Sequence, residues 1–263
     1  MKTRQEAPLI LPPREETAPP HPDLHRLRVV SWNVYRNNFP ETIEASLKHF
    51  VQDCRPDVLL IQEAPVYEVS HFADMAVFDG YFKIYEPMYV VNRPAQSSDL
   101  RSVGQLTFSR IPFTTTTAYL LPPIRLRFSR SSPDSPVVRR VALYTRLTLE
   151  SGKRVGIYNV HLENRALPEG RYKQVRHLLN IVENQKDDVV IVGGDLNTFM
   201  TKTFELCLRL FTKAGFRDVF HDDRLRLLPR LDYFMVQGVR SAEPRRLKGS
   251  GSDHQPIMAD VTV

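Results

Sequence analysis

The chain contains little cysteine. Only Cys54 and Cys207 occur among its 263 residues, too few and too poorly spaced for a disulfide framework or a structural zinc site. Both are therefore interpreted as small apolar side chains in a protein from a reducing compartment.

Long apolar runs are also missing. No stretch approaches the roughly 20 residues that span a bilayer. The run Leu9–Leu11, enclosed by prolines, is too short for the centre of a secretory signal. These absences predict a cytoplasmic protein with no signal peptide and no stable insertion into a membrane.

The composition is typical of a folded protein with an excess of basic residues. Hydrophobic residues make up 42% of the chain and charged residues 25%, which suffices for a sizeable core. The formal net charge is +6. That charge favours contact with polyanions such as nucleic acid, anionic lipid headgroups or polyphosphates.

The first 25 residues differ from the rest in being rich in proline and lacking apolar periodicity. Such a segment cannot compensate its ordering entropy by burial. We predict a proline-rich disordered tail over residues 1–25 and one folded domain over 26–263.

Short strand-like runs dominate the folded part, with few helical patterns between them. Helices are predicted at 41–53, 170–184 and 201–213. Strands are predicted at 27–34, 57–62, 81–86, 103–109, 114–120, 138–149, 153–161, 188–193, 232–237 and 256–262. This α/β pattern fits two stacked sheets with helices outside them better than regular β-α-β alternation.

Polar residues recur where the predicted strands end or begin. Taken singly, each is also a typical turn, cap or solvated residue. Taken together, they stand in the loops where a rigid scaffold presents reactive groups. They are Asn33, Glu63, His161, Asp195, Asn197, Asp253 and His254.

Six short motifs contain these residues. In chain order they are Ser-Trp-Asn-Val at 31–34, Ile-Gln-Glu at 61–63, Asn-Val-His-Leu-Glu-Asn at 159–164, Gly-Gly-Asp-Leu-Asn at 193–197, Arg-Leu-Asp-Tyr at 230–233 and Gly-Ser-Asp-His-Gln-Pro-Ile at 251–257. Their order closely resembles that of the endonuclease/exonuclease/phosphatase superfamily, over nearly everything outside the tail. The resemblance makes 26–263 an expected catalytic domain.

The resemblance implies a four-layered α/β sandwich of the DNase I type, with two stacked mixed β-sheets flanked by helices. It also implies metal-dependent cleavage of phosphate esters. Members include abasic endonucleases, tyrosyl-DNA phosphodiesterases, inositol polyphosphate phosphatases and sphingomyelinases. Hard oxygen ligands suit Mg²⁺, for which Mn²⁺ is a possible substitute.

The matching positions carry over as expected roles. Glu63 corresponds to the metal carboxylate, with Asp253 and Asn33 also facing the metal. Asn33 could instead hold Asp195 by a hydrogen bond. Asp195 resembles the base that activates water, and Asn197 would orient that water or the phosphate.

Three further positions complete the expected catalytic set. His254 would donate to a phosphate oxygen as a cation, with Asp232 as its partner in the carboxylate–imidazole manner of hydrolytic triads. His161 would contact the phosphate near the leaving group, or be a buried structural histidine. Tyr35 stands where some DNA-repair members carry a second acidic ligand, which puts such a ligand in doubt.

Arginines supply the predicted substrate contacts. Arg125, Arg127 and Arg130 lie in a long loop at 122–140 that could grip a nucleic-acid strand or be a solvated basic loop. Arg171 continues the pattern after His-Leu-Glu, as do Glu163 and Gln174, and could bind substrate or only support the site.

The preferred function is hydrolysis of nucleic-acid phosphodiester bonds, with DNA before RNA, by a monomer. Basic side chains that release counterions from the backbone would supply much of the affinity. The alternative is a phospholipid, sphingomyelin or inositol-phosphate hydrolase of the same superfamily. A catalytically silent binding module is disfavoured because every catalytic position is occupied.

Overall fold

The structure is a computed structural model. It describes residues 9–11, 25–35, 40–67, 76–90, 100–124, 139–164, 168–198, 201–221, 230–248 and 251–263. Most of the predicted tail falls outside these ranges, and so do Arg125, Arg127 and Arg130.

The described elements are thirteen strands and three α-helices. The strands are β1 Leu9–Leu11, β2 Arg26–Asn33, β3 Val58–Tyr67, β4 Phe82–Val90, β5 Leu100–Ser109, β6 Phe113–Leu120, β7 Val141–Thr148, β8 Arg154–His161, β9 Val189–Asp195, β10 Arg217–Asp218, β11 Asp232–Gln237, β12 Ser241–Arg246 and β13 Ile257–Thr262. The helices are α1 Pro40–His49, α2 Pro168–Gln185 and α3 Thr201–Lys213.

The strands form two mixed sheets. The first has the order β1-β4-β5-β3-β2-β13-β12, and the second has the order β10-β11-β9-β8-β7-β6. In each sheet one neighbouring pair is parallel, β2 with β3 and β8 with β9, whereas the other pairs are antiparallel.

Three apolar clusters hold four layers together. The central cluster lies between the sheets and joins residues such as Val29 and Leu60 to Ile157 and Ile191. A second cluster packs α1 on the outer face of the first sheet, and a third packs α2 and α3 on the outer face of the second. Strands buried on both faces explain the near-continuous apolar runs in the sequence. The predicted four-layered α/β sandwich is confirmed.

The helix predicted at 41–53 has a modified end. After α1 the chain continues as a π-helical turn over Phe50–Cys54. Arg55 then adopts a left-handed conformation, with φ of 47°, and its N–H donates to Phe50 O at 3.1 Å. Because Pro56 cannot continue a helix, the chain turns here toward β3.

Three edge strands, β1, β10 and β12, were not predicted from the sequence, and β10 has only two residues. Leu9–Leu11 lie within the predicted tail, yet they pair antiparallel with β4, with Leu9 opposite Tyr85. An exposed sheet edge offers backbone groups that an extended segment can satisfy, so the tail prediction is corrected at these three residues and stays a prediction elsewhere. β12 was missed because Pro244 and its charged neighbours are typical of loops, although an edge strand tolerates proline.

Across the described ranges, no helix has the length and apolar character needed to cross a membrane.

Candidate active site

Several strands bring polar residues to one edge of the sandwich. The parallel pairs β2 with β3 and β8 with β9 direct their carboxyl ends to this edge, which places Asn33, Glu63, His161 and Asp195 there. β11 is antiparallel to β9 and starts at the same edge, so Asp232 lies directly opposite Asp195. Residues far apart in sequence thus form one site.

Local backbone features orient two of the carboxylates. The register of β3 against β5 shifts between Ile61 and Ala64, and Glu63 inside this bulge has φ of 54°. Bulges of this kind re-aim a side chain. Gly194 has φ of 135°, and a Cβ there would lie 2.0 Å from Val160 O, so glycine before Asp195 lets β9 lie close against β8.

Asp195 is held by amides. Its Oδ1 accepts the backbone N–H of Asn197 at 2.8 Å. Its Oδ2 accepts the side-chain amides of Asn33 and Asn197, both at 3.1 Å. Asn197 has φ of 51° and also donates to Leu162 O at 3.0 Å. These bonds fix the carboxylate, and Asn33 meets the expectation that it holds Asp195.

His254 pairs with Asp232. Nδ1 of His254 lies 2.7 Å from Asp232 Oδ2, and its Nε2 lies 3.8 Å from Asp195 Oδ2. Nε2 also lies 3.9 Å from Oδ1 of Asp253, whose side chain is 67% exposed. The imidazole therefore lies between the half-buried Asp232 and the buried Asp195, with Asp253 at the rim of the site.

Ser252 and Trp32 fix the loop before β13. The Ser252 hydroxyl donates to Asn33 O at 2.7 Å and accepts the N–H of His254 at 3.0 Å. The indole N–H of Trp32 donates to His254 O at 3.2 Å, while its ring packs edge-on against Phe50 at 5.4 Å. No specific role was predicted for Ser252 or Trp32, although both stand in the quoted motifs.

His161 lies between Asp195 and Glu63 in the site. Its Nε2 is 3.5 Å from Asp195 Oδ2 and 4.0 Å from Glu63 Oε1. The imidazole is 2% exposed, whereas the Glu63 side chain is 11% exposed. His161 is thus both buried and in the site, which the sequence had left as alternatives.

A buried amide network underlies the site and joins the two sheets. Gln62 donates to Asn159 Oδ1 at 2.8 Å, and Asn159 donates to Leu106 O at 3.1 Å. Gln62 precedes Glu63, and Asn159 lies two residues before His161. Because these amide bonds cross from one sheet to the other, they tie the strand that carries Glu63 to the strand that carries His161. Sequence reasoning did not assign the network a role.

Burial and charge shift the acid–base properties of the site. Burial, followed by the charge of Asp232, raises the pKa of Asp195 to about 7. Burial alone would lower the pKa of His254, but its hydrogen bond with Asp232 and the surrounding carboxylates raise that pKa to about 9. At neutral pH the site therefore combines an imidazolium with a carboxyl group poised to exchange a proton.

The donor set fits a hard divalent cation. Ligand atoms of Asp195, Asp232 and His254 all lie within 4.8 Å of one another. However, Asp232 is engaged with His254, and a protonated imidazole does not bind metal. Glu63 lies farther from an imidazole, 4.0 Å from His161 Nε2, and is the better position; one or two carboxylates are what Mg²⁺ requires. The family fold suggests divalent metal use, and Glu63 and Asn33 would supply oxygens for the ion.

The predicted substrate contact at Arg171 is corrected. Its residue is fully buried in α2, and its guanidinium donates to Asn164 O, in the loop after β8. Gln174 in the same helix accepts the backbone N–H of Glu163 at 3.0 Å, and Glu163 lies 3.4 Å from Arg140. A buried guanidinium cannot contact a nucleic-acid strand, so Arg171 instead holds the loop after β8 through Asn164.

Comparisons with known proteins agree with this geometry. The model of the Endonuclease/Exonuclease/phosphatase family matches residues 30–254. The chain is 27% identical over 276 residues to a UPF0294 protein of Erwinia tasmaniensis, covering 98% of this chain and 92% of that protein. A UPF0294 protein of Vibrio campbellii is 22% identical over 242 residues, covering 90% and 78%.

Two solved structures show the same fold. An endonuclease/exonuclease/phosphatase from Beutenbergia cavernae superposes with a TM-score of 0.69 at 19% identity, covering 91% of this chain and 72% of that one. D. rerio TDP2 complexed with single strand DNA product has a TM-score of 0.64 at 18% identity, covering 90% and 99%. Because the family match extends from Val30 to His254 and includes the whole site, the chain belongs to the endonuclease/exonuclease/phosphatase family.

Proposed function

We propose that this chain hydrolyses phosphodiester bonds of nucleic acid, DNA before RNA, with Mg²⁺ as cofactor and water as nucleophile. Members of the family are phosphoester hydrolases. The observation that carries the proposal is that Asp195 has polar atoms of its two asparagines, His161 and the Asp232–His254 pair within 3.8 Å of its carboxylate at one edge.

Asp195 acts as the base in this proposal. A base works best when its pKa lies near the operating pH, and burial raises that of Asp195 to about 7. As the water oxygen bonds to phosphorus and the bond to the leaving oxygen breaks, Asp195 Oδ2 takes a water proton. Asn33 and Asn197 hold the carboxylate in one orientation throughout, so little reorganisation accompanies the step.

The two histidines act on the phosphate oxygens. His254 is held cationic by Asp232 and presents Nε2 toward Asp195, where it can donate to a developing negative charge. His161 presents Nε2 between Asp195 and Glu63, where it can contact the phosphate near the leaving oxygen. A Mg²⁺ ion held at Glu63 would polarise a non-bridging phosphate oxygen.

Charge and similarity favour nucleic acid as the substrate. The net charge of +6 favours a polyanion, and D. rerio TDP2, which shares the fold, is described with a single strand DNA product. The monomeric state and the nucleic-acid partner remain parts of the proposal. The arginine loop predicted to grip the strand lies outside the described residues.

An activity panel with Mg²⁺ tests the proposal. The substrates are single-stranded, duplex, abasic and 5′-blocked DNA, RNA, inositol phosphates and sphingomyelin, each with EDTA and with Asp195→Asn as controls. We expect the highest turnover on DNA, lost in EDTA and in the variant. Faster turnover of sphingomyelin or an inositol phosphate would assign the chain to the lipid or inositol branch instead.

A further inference from the structure

Two guanidinium groups lie near one phenyl ring beside the candidate active site. Arg230 Cζ lies 5.5 Å from the centroid of the Phe220 ring, and Arg246 Cζ lies 5.6 Å from it. Arg246 ends β12 in the first sheet, whereas Phe220 follows β10 and Arg230 precedes β11 in the second. This arginine stack (Phe220, Arg230 and Arg246) therefore joins the two sheets at their edge.

The arginine stack borders the Asp232–His254 pair. Arg230 stands two residues before Asp232, and Arg246 lies opposite Ile257, three residues after His254. Burial raises the pKa of Asp232, and the charge of Arg246 acts in the opposite direction. The cationic group thus lies close enough to influence the acid–histidine pair.

The two arginines differ in their surroundings. Arg230 bonds to the Asp218 carboxylate and also lies 4.6 Å from the Tyr233 ring centroid. Arg246 donates to the amide oxygen of Gln255, an exposed residue, at 3.3 Å. Arg246 is itself half-buried. Its guanidinium can therefore meet a ligand from solvent, unlike the fully buried Arg171.

We propose that Arg246 binds a backbone phosphate of the nucleic acid next to the phosphate that is cleaved. This inference rests on the proposed nuclease function. A polynucleotide extends beyond the scissile bond, and the arginine stack stands at the same edge of the sandwich as the Asp232–His254 pair. The contact with the Phe220 ring restricts the Arg246 guanidinium, whose forked N–H groups match a phosphate, so less freedom is lost on binding.

The neighbouring Arg245 provides a matched control. Both arginines lie on β12, and successive side chains of a strand point to opposite faces. Arg245 is exposed, and its charge acts on Cys54 at the outer side of the first sheet. Arg245→Gln therefore changes the net charge as Arg246→Gln does, without touching the arginine stack.

The test measures the salt dependence of oligonucleotide binding in the Asp195→Asn protein. Dissociation constants of a labelled single-stranded DNA are measured over a KCl series, with Arg246→Gln, Arg246→Lys or Arg245→Gln added. Each lost phosphate contact on a single strand lowers the magnitude of the slope of log binding constant against log salt concentration by about 0.7. We expect that reduction for Arg246→Gln and none for Arg245→Gln, with Arg246→Lys retaining the slope because it keeps the charge.

Three results would overturn the inference alone: an unchanged slope in Arg246→Gln, an equal reduction in Arg245→Gln, or the same reduction in Arg246→Lys, which would assign the effect to packing. Absence of DNA binding by the Asp195→Asn protein, together with absence of DNA turnover by the unmodified chain, would instead overturn the proposed function and this inference with it.

Discussion

The two ends of the sandwich hold buried carboxylates in opposite ways. A cluster of arginines and aspartates lies at the end opposite the site and consists of Arg26, Arg28, Asp57, Arg110 and Asp260. There Arg28 contacts both oxygens of Asp260 at 2.8 and 3.2 Å, and Arg26 adds a contact at 2.8 Å. At the active-site end, Asp195 is surrounded by amides and imidazoles, and no guanidinium or ammonium group of the described residues pairs with it.

The pKa shifts at the two ends have opposite signs, because burial dominates at Asp195 whereas arginine partners outweigh burial at Asp260. Burial acts against ionisation of Asp260, yet hydrogen bonds and charges from Arg28 and Arg26 lower its pKa. For Asp195 the amides compensate less, and burial raises the pKa to about 7. The sandwich thus carries a fixed ion pair at one end and a titratable acid at the other. Arginine builds structure here, whereas amide and imidazole partners leave a carboxylate able to accept a proton.

The largest expected difference between the two ends is the effect on turnover of replacing their carboxylates. We expect Asp195→Asn to lower kcat about 10²- to 10⁴-fold, the usual contribution of a general base, while substrate binding changes little because the amide keeps the shape. Asp260→Asn is the matched control and should leave kcat within about twofold. Initial rates on the preferred DNA substrate, taken below the unfolding midpoint of both variants, measure this.

The contrast between the ends would fail if Asp195→Asn kept more than about a tenth of the turnover. It would fail equally if Asp260→Asn lost as much as Asp195→Asn, since the effect would then follow burial rather than chemistry.

The metal requirement should also distinguish the ends. Glu63→Gln removes the proposed Mg²⁺ carboxylate, and we expect the half-saturating Mg²⁺ concentration to rise at least as much as when outer-shell partners are lost, about 10- to 100-fold. Asp57→Asn, directly before the same strand, is the control and should leave it unchanged. Mg²⁺ titrations followed by activity and by calorimetry measure both, and an unaltered requirement in Glu63→Gln would place the metal elsewhere.

The fold was largely readable from the sequence because its strands are buried on both faces. Runs such as Val189–Val192 have few other interpretations, and α2 and α3 have clear apolar faces. Of the four edge strands, β6 was readable, whereas β1, β10 and β12 were not. β1 depends on pairing between Leu9–Leu11 and β4, and β12 includes Pro244; neither carries a local signal, because pairing at an edge is a tertiary event.

The motifs were sufficient to predict the residues of the candidate site, but not the residues that hold them in place. Asn33, Asp195, Asn197, Asp232 and His254 meet as the resemblance implied. Arg171 was misplaced, because a cationic residue after a motif gives no sign that its helix buries it. The amide network of Gln62 and Asn159 was missed for a related reason, since only the stacking of two sheets brings these residues together.

Replacing the carboxylate by an amide should change the free energy of unfolding with opposite signs at the two ends. The pKa of Asp195 is raised from 3.8 to about 7, so the folded protein binds the proton more tightly than the unfolded chain does. Its contribution to the free energy of unfolding therefore falls as pH rises through that window. In EDTA we expect Asp195→Asn to be more stable than the unmodified chain by about 1 kcal/mol at pH 8, with a smaller gain at pH 5.

Asp260 has a lowered pKa, so its contribution is present above the unfolded value and is lost as pH falls through the folded one. Asp260→Asn should cost about 1.5 to 3 kcal/mol at pH 8, because it weakens hydrogen bonds to charged groups. Urea unfolding at both pH values measures the two variants. If Asp195→Asn destabilised the protein at pH 8, or gained equally at pH 5, the carboxylate would not be held at the cost of stability, and the distinction between a structural and a catalytic end would lose its energetic basis.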